Sequence, residues 1–389
     1  MKMARGFKAV FLRECNRIAH SRICLWGIFG VMFTTITGLL YMMDKGLPTQ
    51  IPIAVVDLDN STTSRELVRQ LNGFPKIDVA MKAYTFTEAR KAMERAKVYA
   101  ILTIPEDFAI DAALGKQPQL VYYTNNAFLI NGSLLFQDLK TISVMASASV
   151  GIQLVQGKGG TSAQAMSIAQ PIAVEAHPLN NPWLNYSIYL NNMTLPGVMQ
   201  LIILMFTVSC FGSEIKSGTG KKLVKLSGNS TWKTVLGKIF PYTVIFTLLA
   251  LMIMSILYGI NGFPLNSGFW AMFLNWFALI IASQGFALII FAVFRNYRFS
   301  VSIACLIGML SIPLSGFTFP LRSMSGFVQA VANLTPLRHF FMIYVDQALN
   351  GLSFSYSAIH YAVLFIFGFI GMFMFRPVRD IVENDTYKL

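Results

Sequence analysis

Four cysteines are few for a chain of 389 residues, and none lies between residues 44 and 190. Cys15, Cys24, Cys210 and Cys305 fall near the N-terminus or inside long apolar stretches, so disulfides do not hold the polar part together. A segment of that size buries enough apolar surface without them. Histidine is as scarce. His20, His177, His339 and His360 stand isolated along the sequence, with neither Cys-x-x-Cys nor His-x-x-x-His spacing, and a metal centre is not expected. Ionisable residues are also missing from the middle of every apolar stretch: Glu214, Arg295 and Arg298 fall at ends, and His360 at the edge of the last. A carrier driven by protons or sodium places such groups near the bilayer midplane, which makes it the weaker alternative. Nor are inverted repeats visible, since one stretch precedes the polar segment and five follow it.

What is present is apolar length. Stretches at residues 23–43, 193–211, 239–260, 269–294, 299–319 and 361–375 mostly reach the ~20 residues needed to cross ~30 Å of hydrocarbon as a helix. The last is adequate only if residues 358–360 are included. The expected fold is therefore a membrane bundle of six transmembrane helices, with an α/β extracytoplasmic domain inserted between the first and second.

Charge sets the orientation. If both termini are cytoplasmic, the inside pieces are residues 1–22, 212–238, 295–298 and 376–389, carrying 17 of the 31 Lys and Arg but only 5 of the 18 acids. Residues 44–190 hold 12 basic and 12 acidic side chains and are neutral. Nearly all the net charge of +13 thus lies on one side, as retention of Lys and Arg in the cytoplasm requires. Topology and anionic headgroups account for a pI near 9.6, and a nucleic-acid partner is not expected. The chain is expected in a bacterial inner membrane. Residues 23–43 exceed a signal h-region and no small-residue cleavage site precedes Asp44-Lys45, so they read as an uncleaved first span.

Residues 1–22 form a cytoplasmic interfacial segment, amphipathic over 5–22. At 100° per residue Phe7, Phe11, Cys15 and Ile18 share one side, with Arg13, Asn16, Arg17 and His20 opposite. The domain at 44–190 alternates strand-like and helix-like runs. Strands are expected at 51–57, 77–81, 98–104 and 119–124. Helices follow a capping-box spacing at Thr63 and Glu66, a second at Thr85 and Glu88, and Pro105. This rhythm predicts a sheet with helices packed on it. A long helix at 129–156 ends at Gly157 to Gly160, and the return leg holds 171–177 and the interface aromatics Trp183, Tyr186 and Tyr189. The domain's carboxylates Asp57, Asp59, Glu106 and Asp107 sit in turns or at helix starts, where capping explains them. No catalytic constellation can be assembled, and the chain is not expected to be an enzyme.

Residues 212–238 are the densest cluster of charge. Gly218-Thr219-Gly220-Lys221 does not make a P-loop: Ile215 stands where the first Gly belongs, and Lys222 where a magnesium-binding Ser or Thr belongs. Here the chain resembles the permease subunits of the ABC-2 class of ATP-binding-cassette transporters, in particular exporter permeases with a large external domain. Glu214, Gly218-Thr219, Leu223 and Gly237-Lys238 match that class in place, whereas Lys221 replaces an acid and Leu226-Ser227 replace Thr-Pro. A second match covers Leu314-Ser315-Gly316, Phe319-Pro320, Met324 and Thr335-Pro336-Leu337. A third covers IAVVDLDNSTTSREL and AILTIPEDF in the external domain.

The resemblance implies a permease subunit of an ATP-driven exporter, paired with a second copy in a homo- or heterodimer, each copy bound to a separate ATPase chain that carries ATP and magnesium. No cofactor is expected on this chain. Glu214, Gly218, Thr219, Lys221, Lys222, Leu223, Val224 and Leu226 are the expected ATPase-coupling residues. A short helix near 218–226 would seat Leu223, Val224 and Leu226 in an ATPase groove. The layout gives a first span at 23–43, a second-to-sixth span bundle at 191–375 with the coupling loop at 212–238, and a cytoplasmic tail at 376–389. An amphiphilic, lipid-like or drug-like cargo would pass Met199, Ile202, Met205, Phe206 and Ser209 of the second span and Ser302, Met309, Pro313 and Phe317 of the fifth. Pro313 and Gly316 suggest a hinge or a break near the outer leaflet. Gly30, Gly38, Gly285, Ser302 and Gly308 suggest close helix packing. The outer domain is expected to meet a periplasmic adaptor; the alternative is an envelope receptor or interaction protein using that domain.

Overall fold

The computed structural model describes residues 6–169, 180, 181 and 184–384; the expected features at 171–177 and at Trp183 and His177 lie outside them. The chain divides into two compact units, Lys45–Pro178 and the remainder. Among the described residues six helices are long and apolar enough to cross a membrane: Arg22–Met42, Tyr186–Lys216, Thr231–Ile260, Phe269–Phe294, Tyr297–Leu314 and Phe354–Phe373. They are numbered here as spans one to six.

Several bounds differ from the hydropathy reading, and for local reasons. The second span starts seven residues early because Asn185 caps it, accepting from the backbone N–H groups of Ser187 and Ile188. The same helix then runs on to Lys216. At 1.5 Å per residue it is about 46 Å long and outreaches the hydrocarbon core. The fifth span stops at Leu314, directly after Pro313, and Gly316 follows with φ +87°, a left-handed conformation that glycine adopts without strain. Arg338 donates Nη1–H to the Ser315 carbonyl at 2.6 Å and satisfies the broken end.

Spans two and four form the centre of this unit. Trp276, Phe291, Phe211 and Met199 are all buried there. Close approach depends on glycine at two crossings. A Cβ on Gly285 would lie 2.3 Å from the Phe367 carbonyl oxygen of span six, and one on Gly308 would lie 2.6 Å from Leu201 of span two. Gly38, by contrast, faces open space.

The second unit is built on a four-stranded sheet: β1 (Ile51–Asp57), β2 (Ile77–Lys82), β3 (Ala100–Ile104) and β4 (Val121–Thr124), ordered β2-β1-β3-β4. β1 pairs in parallel with β2 and β3, and β4 closes the edge antiparallel to β3. Helices cover both faces, which is why β1 reads as an unbroken apolar run rather than an alternation. Ile53 and Val55 pack with Leu71, Leu102 and Leu135 on one side, while Ala54 and Val56 pack with Ala89 and Ile101 on the other. The first helix is capped by Ser61, not by Thr63: the Ser61 hydroxyl accepts from the N–H of Ser64, two residues earlier than the capping-box spacing suggested. Asp57 accepts from the backbone of Asp59 and Asn60 and from the Ser64 hydroxyl. Asp107 makes no capping bond and sits at φ +56°.

Candidate functional site

Charge concentrates where the N-terminal helix Phe7–His20 lies against the third span. Val10 nests over Gly237, where a Cβ would come within 2.8 Å of it, and Phe7 and Phe11 gather around Phe240 at ring separations of 6.0 and 5.9 Å. This contact turns Glu14 inward until it is 1% exposed. It meets Lys238, which is fully buried, at 2.6 Å, and the Tyr242 hydroxyl donates to it at 3.2 Å.

Lys238 also donates to Glu214 at 2.9 Å. Glu214, at the end of the second span and equally buried, receives Arg13 at 2.8 Å, Arg17 at 3.1 Å and the Thr219 hydroxyl besides. Two carboxylates and three cations therefore close a single network. Each ion is surrounded by opposite charge, which is the condition for keeping it ionised away from water. Burial opposes the charge on Arg17, but Glu14 and Glu214 outweigh it and hold its pKa above the ordinary value.

The N-terminal helix thus departs from the expected amphipathic orientation. Arg13 and Arg17 point at Glu214 rather than away from the protein, while Asn16 and His20 remain exposed. Composition held one signal of this. Glu14 is the only acid among the first 22 residues, at a position flanked by the apolar Phe11, Cys15 and Ile18 on the helix.

Thr219 links the network to a short helix, Gly220–Leu226. Gly218, at φ +62°, makes the turn that ends the second span, and Gly220 lets the C-terminal helix Phe375–Asn384 come close: a Cβ there would meet the Val382 carbonyl oxygen at 1.8 Å. Leu223 and Val224 are buried within this chain, and Leu226 is half-buried. Leu223 and Val224, expected to seat in a partner's groove together with Leu226, are thus packed against their own protein, and Leu226 is partly covered by it. Lys221, Lys222 and Lys225 form the exposed face.

The nine residues expected along a cargo path do not come together. Met199 and Ile202 are packed in the interior, with Met205, Phe206 and Ser209 half-buried beside them. Phe206 abuts Gly27 of the first span. Ser302, Met309 and Pro313 lie on the exposed side of the fifth span. Phe317 stacks on Tyr189 at 4.0 Å and lines a cavity of about 200 Å³ with Phe341 and Tyr344.

Two histidines that are isolated in sequence meet in the fold. Nδ1 of His339 lies 3.1 Å from Nδ1 of His360, and Nε2 of His339 lies 2.9 Å from the Asn333 carbonyl oxygen. Burial lowers the His339 pKa, the Asn333 bond opposes this, and His360 and Arg338 add to the lowering. No group of three metal-ligating side chains occurs among the described residues.

Two curated Escherichia coli K12 proteins are similar over most of their length. The "Probable multidrug ABC transporter permease YbhS" is 22% identical across 78% of both chains. The "Probable multidrug ABC transporter permease YbhR" is 23% identical across 75% of this chain and 76% of its own. No solved structure matches the chain. The family model described as ABC-2 family transporter protein matches residues 22–375, which takes in the six spans, the inserted unit, and Glu214 and Lys238 of the charge network but not Arg13, Glu14 and Arg17, and the chain belongs to that family as an ABC-2 type permease.

Proposed function

We propose that this chain is the membrane half of an ATP-driven exporter, moved by a separate ATP-binding-cassette ATPase that docks on the basic face of helix Gly220–Leu226. The observation that carries this reading is the two-sidedness of that helix. Lys221, Lys222 and Lys225 are exposed, while Gly220, Leu223 and Val224 are fixed to the C-terminal helix and the rest of the bundle. A partner gripping the lysines through acidic side chains would not slide the helix alone. Thr219 passes the displacement to Glu214, and Glu214 passes it to Lys238 of the third span and to Arg13 and Arg17. Closure of the ATPase on ATP then biases two arrangements of the spans, its affinity difference between them setting the shift.

The distribution of Lys and Arg supports a cytoplasmic position for this end and an extracytoplasmic one for the inserted unit, in an inner membrane. ATP and magnesium would be held by the partner, and two permease copies would enclose the path. The apolar, methionine-bearing exposed side of the fifth span, Met309 with Leu306 and Leu310, suits an amphiphilic or drug-like cargo. The inserted unit would meet an envelope adaptor.

Charge reversal at Lys221, Lys222 and Lys225 together tests the docking face. The triple Glu variant is expected to keep its melting temperature in detergent, and to lose co-purification with the ATPase along with any stimulation of ATP hydrolysis. Undiminished stimulation by that variant, or absence of any ATP-binding-cassette ATPase from the wild-type complex in mild detergent, overturns the reading.

A further inference from the structure

A groove of about 430 Å³ opens between spans three, four and six, in the half of the bundle nearer Lys238. It is separate from the charge network and from the expected cargo residues. Its walls are apolar apart from Thr243, Thr247 and Gln284, and no ionisable side chain lines it. At its mouth Phe240, Val244 and Leu248 are 48%, 42% and 61% exposed, on helices long and apolar enough to cross a membrane. Whatever occupies the groove therefore arrives from lipid rather than from water.

Gln284 is 3% exposed and lines this groove. Its Oε1 accepts from the Thr243 hydroxyl at 2.9 Å, which leaves Nε2 as the free side of the amide. That nitrogen has no hydrogen-bond partner among the described residues. The Thr247 hydroxyl is occupied, donating to the Thr243 carbonyl at 2.8 Å. One unanswered donor thus stands in an apolar recess of drug-like size, and a buried donor without an acceptor costs free energy that a ligand carbonyl recovers.

We infer that this groove binds one uncharged, drug-sized amphiphile that enters sideways from the bilayer and presents a hydrogen-bond acceptor to Gln284. Charged molecules are excluded, because nothing in the lining would compensate a desolvated charge. The inference concerns binding and stands whether or not the molecule is transported.

An octyl benzophenone serves as the probe, since its ketone is both the acceptor and the group that cross-links to neighbouring C–H bonds on irradiation. With the purified full chain in nanodiscs, labelling is expected to saturate and to map to peptides holding Leu248, Phe277 or Met372. The corresponding octyl diphenylmethane, which lacks the carbonyl, is expected to compete about tenfold less well, the scale of one lost buried hydrogen bond. Gln284→Leu should weaken labelling to a similar degree. Val244→Trp, at an exposed position that tolerates a larger ring, should block the mouth and abolish labelling, and it decides the matter if Gln284→Leu does not fold. Labelling that rises linearly and spreads over all spans overturns the inference. So does equal affinity for the two probes, which would mark a plain acyl-chain groove, or protection of the groove in a dimer, which would make the second copy its occupant.

Discussion

The two units of this protein use the same ion-pair chemistry in opposite surroundings. In the inserted unit, Arg90 and Glu94 stand 3.0 Å apart with 65% and 58% of their side chains exposed, and Lys116 and Asp111 pair at 3.1 Å in a similar setting. Such pairs sit in high dielectric and contribute little. In the membrane unit, Glu14, Glu214 and Lys238 are buried together and share two arginines. The lesson lies in what happens when one member is removed. An exposed pair loses a weak attraction, whereas the buried network is left with an uncompensated charge in low dielectric.

Lys238→Met breaks the comparison most severely, because it leaves Glu14 and Glu214 facing each other without the cation between them. A loss of about 3–5 kcal/mol is expected, visible as a large drop in melting temperature in detergent. An unchanged melting temperature would mean that the two carboxylates do not depend on that cation. Lys76→Ala sits between the extremes: it strips the partner, 2.9 Å away, from the nearly buried Asp138. A cost of about 1–3 kcal/mol is expected there, measured by denaturant unfolding of the inserted unit's signal in the full chain. Arg90→Ala should change stability by less than about 0.5 kcal/mol in the same measurement. A larger effect at Arg90 than at Lys76 would undo the ranking by burial.

Much of the fold was legible because hydrophobic length and period act locally. The span at Phe269–Phe294 has the bounds its apolar run predicts, and β1 does as well. Helix ends were less legible, since Asn185 and Ser61 act through one or two local side-chain bonds that compete with equally plausible neighbours. At the site, Glu214, Gly218 and Thr219 were singled out through the family resemblance, with Lys238 as part of its matched Gly-Lys pair, while the network that joins Glu214, Thr219 and Lys238 was not. Glu14 and Arg13 escaped notice as partners because they lie about 200 residues away in sequence, at |i−j| of 224 and 201 from the groups they meet. The pairing of His339 with His360 escaped as well, because the two lie on different helices and only their packing brings the rings together.

By itself the sequence determined that six helices can cross a membrane, that a sheet-bearing unit stands between the first two, and that basic charge collects at one set of helix ends. Those properties follow from chain length, side-chain period and charge count, which need no knowledge of neighbours. Only the tertiary structure decided that the apolar face of Gly220–Leu226 turns inward and its lysines outward, that Gln284 keeps an unanswered donor in a groove between spans three, four and six, and that five charges close one network. Burial and electrostatic compensation are properties of packed surroundings, and surroundings assembled from residues hundreds of positions apart are set by the fold as a whole.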